Sequence, residues 1–452
     1  MQKENKMGTM PINRLLMNVS LPIMISMLVQ AMYNIVDSIF VSNYSQAGFT
    51  AVSLAFPVQS LMISLSVGTG VGINSLLSRR LGEKRFDQAN KAATNGIFLS
   101  VISAVVFAIV GFVISHKFFA IFTDDAEVIN YGSDYLMVCT VFSIGVFMQV
   151  TLERLLQATG KSIYSMLTQG TGAIINIILD PILIFGYFGC PSFGVKGAAI
   201  ATVTGQIAAM LLAVVFNVTK NKEISISMKG FRLDAEIIKD IYRIGVPSII
   251  MQSIVSVMTA IVNRILKDDT AISVMGAYFK IQSFVFMPVF GLTNGMVPIV
   301  GYNFGAGKKD RIYKTIRSSL CISTAIMAVG TSVFLILPGQ LLKIFNANDA
   351  LLSMGVPALR ILGASFVISG VCIVIQSTFQ ALGQGLFSLT ISVTRQLIFL
   401  VPIAFALRMI FGLSAVWFAF PISDISALLI TLFLFARVKK NCIEKISAPE
   451  HQ

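Results

Sequence analysis

The stretch Gln30-Ala-Met-Tyr-Asn-Ile-Val-Asp-Ser-Ile-Phe40 sets a carboxylate, Asp37, inside an apolar run that reaches from about Leu15 to Val41. About 20 residues at ~1.5 Å rise cross the hydrocarbon core of a bilayer, so the run is long enough to span one. A charge at that depth costs roughly 2.5 to 3.5 kcal/mol on insertion scales, and residues of this kind face protein or trapped water and mark function. Gln30, Asn34 and Asp37 recur at i, i+4 and i+7 and share one helix face, which is expected to look inward. Pro22 removes a backbone bond from the same span and permits a bend there.

The rest of the chain fits a membrane protein. Its 452 residues are 55% hydrophobic and 12% charged, outside the usual range of soluble domains. A net charge of +13 would suit a nucleic-acid binder, but 25 of the 34 Lys and Arg fall in six alternating segments between spans, including Lys3, Arg80, Lys91, Lys229, Arg232, Arg311, Lys314 and Arg317. That is the distribution of cytoplasmic loops, so both termini are expected in the cytoplasm and no nucleic-acid partner is expected. The five cysteines are scattered without a CxxC pattern, and no cleavable leader is expected before the first span. His116 and His451 fall outside the spans and no nucleophile–base or metal-ligand cluster is readable, which speaks against an enzyme.

Apolar stretches fall at roughly 15–41, 51–78, 94–115, 131–153, 163–187, 195–219, 241–266, 274–302, 315–338, 351–378, 388–410 and 413–437. A repeat organises these twelve spans. Gln157-Ala-Thr-Gly160 recurs as Gln380-Ala-Leu-Gly383, and the same shift of 223 carries Gly68 to Gly291, Gly72 to Gly295, Gly82 to Gly305 and Ile121-Phe122 to Ile344-Phe345. The expected fold is therefore all-α and integral to the membrane, with two six-helix lobes related by a pseudo-twofold along the membrane normal. The lobes are assigned to residues 1–219 and 240–440, joined by a cytoplasmic connector at 220–239 and followed by a tail at 441–452. Gly68-x-Gly70-x-Gly72 lies within an apolar span and reads as close helix packing, not as a nucleotide fingerprint.

Asn176 and Asp180 lie four apart in the fifth span and share a face, with Pro181 next. Asp37, Asp180, Asn34 and Asn176 together would offer hard oxygen ligands to Na+, or a carboxyl pair sharing a proton, and Thr202 could add a hydroxyl. The second half has the opposite polarity. Arg264, Lys280, Arg360 and Arg395 stand there against Asp424, while the first-half positions matching Lys280 and Arg395 are Pro57 and Gly172. Cation coupling is therefore expected in the first half, and Arg395 and Asp424 are expected to form an ion pair, with substrate contact as the alternative. Glu153, beside Arg154 near a span end, is expected at the membrane interface. Some of the 34 Phe and 21 Met are expected to line an adaptable cavity.

With these residues in hand, the chain resembles the multidrug and toxic compound extrusion (MATE) family, in particular its MepA-like bacterial branch. The resemblance rests on Leu21-Pro22 with Tyr33-Asn-Ile-Val-Asp37, Ala55-Phe-Pro-Val-Gln59, the paired Gln-Ala-x-Gly motifs, Asn176-Ile-Ile-Leu-Asp180-Pro181 and Phe286-Met-Pro-Val-Phe-Gly291. It implies alternating access in the bacterial plasma membrane, with export of cationic or amphipathic small molecules in exchange for Na+ or H+. It implies a cation site at Asp37, Asn176 and Asp180, the residues that would bind Na+ if Na+ is the coupling ion, with Asn34 and Thr202 adjoining. Gln30, Tyr33, Gln59, Gln282, Pro22, Arg395 and Asp424 are the expected cavity or gating residues. No cofactor beyond the coupling ion is implied, and the protein is expected to be a monomer surrounded by membrane lipid. A lipid-linked precursor flippase and a non-transporting receptor are the alternatives.

Overall fold

The computed structural model describes residues 5–226, 233–344 and 348–446. Lys3, Lys229, Arg232, Phe345 and His451 lie outside these. Among the described residues every regular element is helical. The helices are α1 (Lys6–Thr9), α2 (Ile12–Tyr44), α3 (Gln46–Gly82), α4 (Phe86–Phe122), α5 (Ala126–Val141), α6 (Ile144–Ala158), α7 (Ser162–Phe185), α8 (Val195–Lys220) and α9 (Ala235–Leu266). They continue as α10 (Asp269–Gly305), α11 (Lys309–Ile336), α12 (Pro338–Lys343), α13 (Asp349–Gly363), α14 (Phe366–Ala381), α15 (Gly385–Val393), α16 (Val401–Phe411) and α17 (Ala419–Val438).

Among the described residues ten helices are long and apolar enough to cross a membrane, and twelve spans result if each of two bent pairs is one span. The pairs are α5 with α6, bent by 44°, and α13 with α14, bent by 46°. Apolar side chains such as Ile109, Phe112 and Phe433 are more than half exposed, as lipid contact requires and water does not favour. The 37-residue helices α3 and α10 run for about 55 Å, well beyond a hydrocarbon core of ~30 Å, so their polar ends project past it.

The 223-residue shift governs helix boundaries as well as motifs. Helices α2, α3, α4, α5 and α7 begin at 12, 46, 86, 126 and 162, and α9, α10, α11, α13 and α15 begin at 235, 269, 309, 349 and 385. Local signals repeat too. The Ser45 hydroxyl caps α3 by accepting from the Gly48 N–H at 3.2 Å, and its counterpart Asp268 caps α10 by accepting from Ala271 at 2.8 Å. Asp125 caps α5 and its counterpart Asn348 caps α13 in the same way. The glycines of the Gln-Ala-x-Gly motifs, Gly160 and Gly383, close their helices at φ 78° and 80°, which explains their recurrence.

Packing divides the chain into two compact units, but not at the 220–239 connector. One unit holds residues up to Met24 together with Ile250 onward; the other runs from Ile25 to Ile249. The divisions thus fall inside α2 and α9. The glycine stripes supply the physical reason. A Cβ on Gly291 or Gly295 of α10 would run into the Met24 or Ser20 backbone of α2, and Ser20 Oγ donates to Leu292 O at 3.1 Å. In the other unit a Cβ on Gly68 or Gly72 of α3 would strike Ile249 or the Ile241 carbonyl of α9. Close helix packing is therefore what the glycines do. Ion pairs from Arg80 to Asp240 (3.3 Å) and from Lys91 to Asp234 (3.6 Å) fasten the same end of α9.

Candidate cation-coupling site

The unit from Ile25 to Ile249 contains the first-half acids. Helices α7 and α8 touch backbone to backbone, since a Cβ on Gly172 would meet the Gly205 carbonyl and one on Gly205 would meet the Gly172 carbonyl. This close approach brings Asn176 of α7 to Thr202 of α8. Asn176 Nδ2 donates to Asp180 Oδ1 and to Thr202 Oγ1, each at 3.3 Å. Asp180 is completely buried, Asn176 nearly so and Asp37 half-buried. The Asp37 and Asp180 carboxyls, 143 residues apart in sequence, stand close enough to share a hydrogen bond.

The oxygen inventory is the informative part. Asp37 Oδ1, Asp180 Oδ2 and Asn176 Oδ1 are all buried without a hydrogen-bond partner. Buried acceptors are ordinarily satisfied, and two neighbouring carboxylates repel unless a positive charge or a proton joins them. The donor set is made of carboxylate, amide and hydroxyl oxygens, hard ligands suited to Na+ or to a shared proton and not to a transition metal. Among the described residues no group of three or more His, Cys, Asp and Glu could hold a metal ion, so any Na+ here would depend on the amide and hydroxyl as well.

Around this cluster lies a polar layer that sequence reading identified only in part. Gln59 Nε2 of α3 donates to the Tyr135 hydroxyl at 3.0 Å and to Cys139 Sγ at 3.9 Å, both on α5 and both buried. Tyr33, one turn before Asp37, lies within electrostatic range of both carboxyls. Tyr135 and Cys139 were not anticipated as site residues; their i, i+4 spacing in the fourth span was the available signal.

Other expectations are corrected. Gln30 and Asn34 are exposed, and the Asn34 carbonyl accepts from Ser38 Oγ at 2.8 Å while its side chain makes no hydrogen bond to the carboxyls. The face shared with Asp37 is therefore enclosed only at its Asp37 end, beside Asp180 of α7. Glu153, expected at the membrane interface, is instead enclosed by protein. It is buried and accepts from Gln149 Nε2 at 3.0 Å, Thr168 Oγ1 at 2.9 Å and Gln169 Nε2 at 2.6 Å.

In the other unit, Arg395 Nε pairs with Asp424 Oδ1 at 2.6 Å, and Ser369 Oγ donates to Asp424 Oδ2 at 2.9 Å. Arg395 sits in a π-helical turn, Thr394–Leu400, immediately before Pro402, whose missing N–H breaks the regular ladder. Gln282 is half-buried and Pro22 lies within α2, and both belong to this unit.

Comparison with known proteins decides the family. The MatE family model matches twice, over residues 22–182 and 244–406, one match in each copy of the repeat. The chain belongs to the MatE family. Among its MatE relatives, the multidrug export protein MepA of Staphylococcus haemolyticus (strain JCSC1435) is 28% identical over 422 residues, 93% of this chain and 92% of that protein. The Staphylococcus aureus (strain NCTC 8325 / PS 47) MepA is 27% identical over 443 residues, 96% of this chain and 97% of that one. A crystal structure of MATE in complex with MaL6 is similar at a TM-score of 0.91 and 25% identity, covering 98% of this chain and all of the other. An outward-facing conformation of a multidrug resistance MATE transporter matches equally well, at a TM-score of 0.91, 25% identity, 98% of this chain and 99% of that one.

Proposed function

We propose that this MatE chain is a secondary active exporter that moves cationic or amphipathic drugs out across the bacterial plasma membrane in exchange for Na+ or H+. It is a multi-pass monomer with both termini in the cytoplasm. The observation that supports the reading is the pairing of Asp37 with Asp180 beside three buried, unsatisfied oxygens. A cation bridging that pair offsets their repulsion, and its departure restores it, so occupancy biases the conformational equilibrium by the difference in cation affinity between states. Asp37 rides on α2, whose two ends belong to different units, so a change at the acid acts on a helix common to both. Arg395, which would suit an anionic substrate, is instead engaged by Asp424.

The test is efflux of a fluorescent organic cation from proteoliposomes under separately imposed Na+ and pH gradients. One gradient drives efflux in the unmodified protein, and Asp37→Asn abolishes that drive while the protein remains folded in the membrane. Unchanged efflux in Asp37→Asn discards the site, and no efflux under either gradient discards the exporter.

A further inference from the structure

Pro11 and Asn13 at the start of α2 and Arg311, Lys314, Arg317 and Ser318 on the opening turns of α11 line an open cavity of about 420 Å³. Its walls are fixed. Ser318 Oγ donates to Asn13 Oδ1 at 2.7 Å. The Arg311 guanidinium is held by Asn303 Oδ1 at 2.9 Å and by the carbonyls of Met7 and Met10 at 2.9 and 2.8 Å. Lys314 and Arg317 are exposed, and neither has an acidic partner among the described residues. The acid nearest in sequence, Asp310, is exposed one turn before Lys314 and forms no ion pair with it.

The internal repeat provides a control for what this position needs structurally. The copy of Lys314 is Lys91, and Lys91 is neutralised by Asp234 at 3.6 Å. The copy of Ser318 is Asn95, which accepts the Asp234 backbone N–H at 3.3 Å. At the same shift, however, Asp234 and Glu236 become Pro11 and Asn13, Thr94 becomes Arg317 and Gln88 becomes Arg311. The same place in the fold has lost two acids and gained two guanidinium groups. Lys314 and Arg317, two neighbouring cations with no acidic partner among the described residues, repel one another, and an anion offsets that repulsion. Arginine in particular presents paired N–H groups that match phosphate oxygens.

Beyond the cavity, the exposed side chains along the two helices become mostly apolar, with Met17 and Leu21 around Asn18 on α2 and Cys321 and Ala325 on α11. A polar, cationic mouth at the end of two spans, continued by an apolar surface, matches a phospholipid and not a wholly soluble anion. We propose that this cavity binds the phosphoryl headgroup of an anionic phospholipid, held by Lys314 and Arg317 with Arg311 and Asn13 beside it.

The test uses the full-length protein in mild detergent and measures binding of dioctanoyl phosphatidylglycerol, dioctanoyl phosphatidylcholine and inorganic phosphate by native mass spectrometry. Asn13→Asp keeps the acceptor for Ser318 and supplies a carboxylate where the copy has Glu236, and the double variant Lys314→Gln/Arg317→Gln removes the cations. Each lowers phosphatidylglycerol affinity on the order of tenfold and leaves phosphatidylcholine unchanged. Lys220→Gln/Lys222→Gln, with the same loss of charge elsewhere, retains unmodified affinity. The proposal is overturned if both site variants bind as the parent does, if the distant control loses as much, or if phosphatidylcholine binds equally. Equal affinity for inorganic phosphate overturns the lipid assignment in favour of a simple anion site.

Discussion

Asn176 Nδ2 donates to Asp180 Oδ1 at 3.3 Å, from one turn earlier on the same helix. This bond orients the most deeply buried acid of the site and leaves Asp180 Oδ2 bare. A hydrogen bond to a charged group contributes about 1.5 to 3 kcal/mol. Asn176→Ala is therefore expected to raise the ion concentration giving half-maximal efflux roughly tenfold or more. Proteoliposome efflux measured against the driving ion checks it, and an unaltered ion dependence would remove Asn176 from the site.

The glycine contacts predict stability. Gly72→Ala and Gly295→Ala each push a methyl group into facing backbone, and the overpacking is expected to cost about 1 to 3 kcal/mol. Gly170 and Gly276 have open space where a Cβ would go, so alanine there is neutral or slightly stabilising. Thermal unfolding in detergent separates the two pairs.

Lys84 and Gly307 occupy equivalent turns after α3 and α10, both with positive φ, 59° and 71°. An L side chain is disfavoured in that region and glycine is not. Lys84→Gly is expected to stabilise the protein by up to about 1 kcal/mol, and Gly307→Ala to destabilise it by a similar amount. The opposite shifts in melting temperature are the readout.

Arg395 and Asp424 are expected to behave as a coupled pair. Removing either partner alone strands a partly buried charge, whereas replacing both with leucine strands neither. A double-mutant cycle on thermal stability should give a coupling of roughly 1 to 3 kcal/mol. A cycle that is additive would mean the pair carries no net interaction.

Much of this architecture was legible because its causes are local. Ser45, Asp125, Asp268 and Asn348 stop and start helices through bonds to residues two or three positions away, and Gly160 and Gly383 end them through their own backbone freedom. The burial of Glu153 was not legible, because the donors Thr168 and Gln169 come from another helix and cancel the signal that a charge near a span end ordinarily gives. The exposure of Gln30 and Asn34 had a similar origin. Helical spacing puts them on the Asp37 face, but only neighbouring helices decide how far along that face the enclosure extends.

The sequence by itself determined the twelve spans, the 223-residue duplication and the identity of the acids, since hydropathy, capping and repetition act along the chain. Only tertiary structure decided that Asp37 meets Asp180, that Asn176 reaches Thr202 where Gly172 and Gly205 let two backbones touch, and that α2 and α9 each serve two units. Those outcomes depend on which helix surfaces fit together across long separations, and shape complementarity of that kind leaves no periodic trace in a single strand of residues.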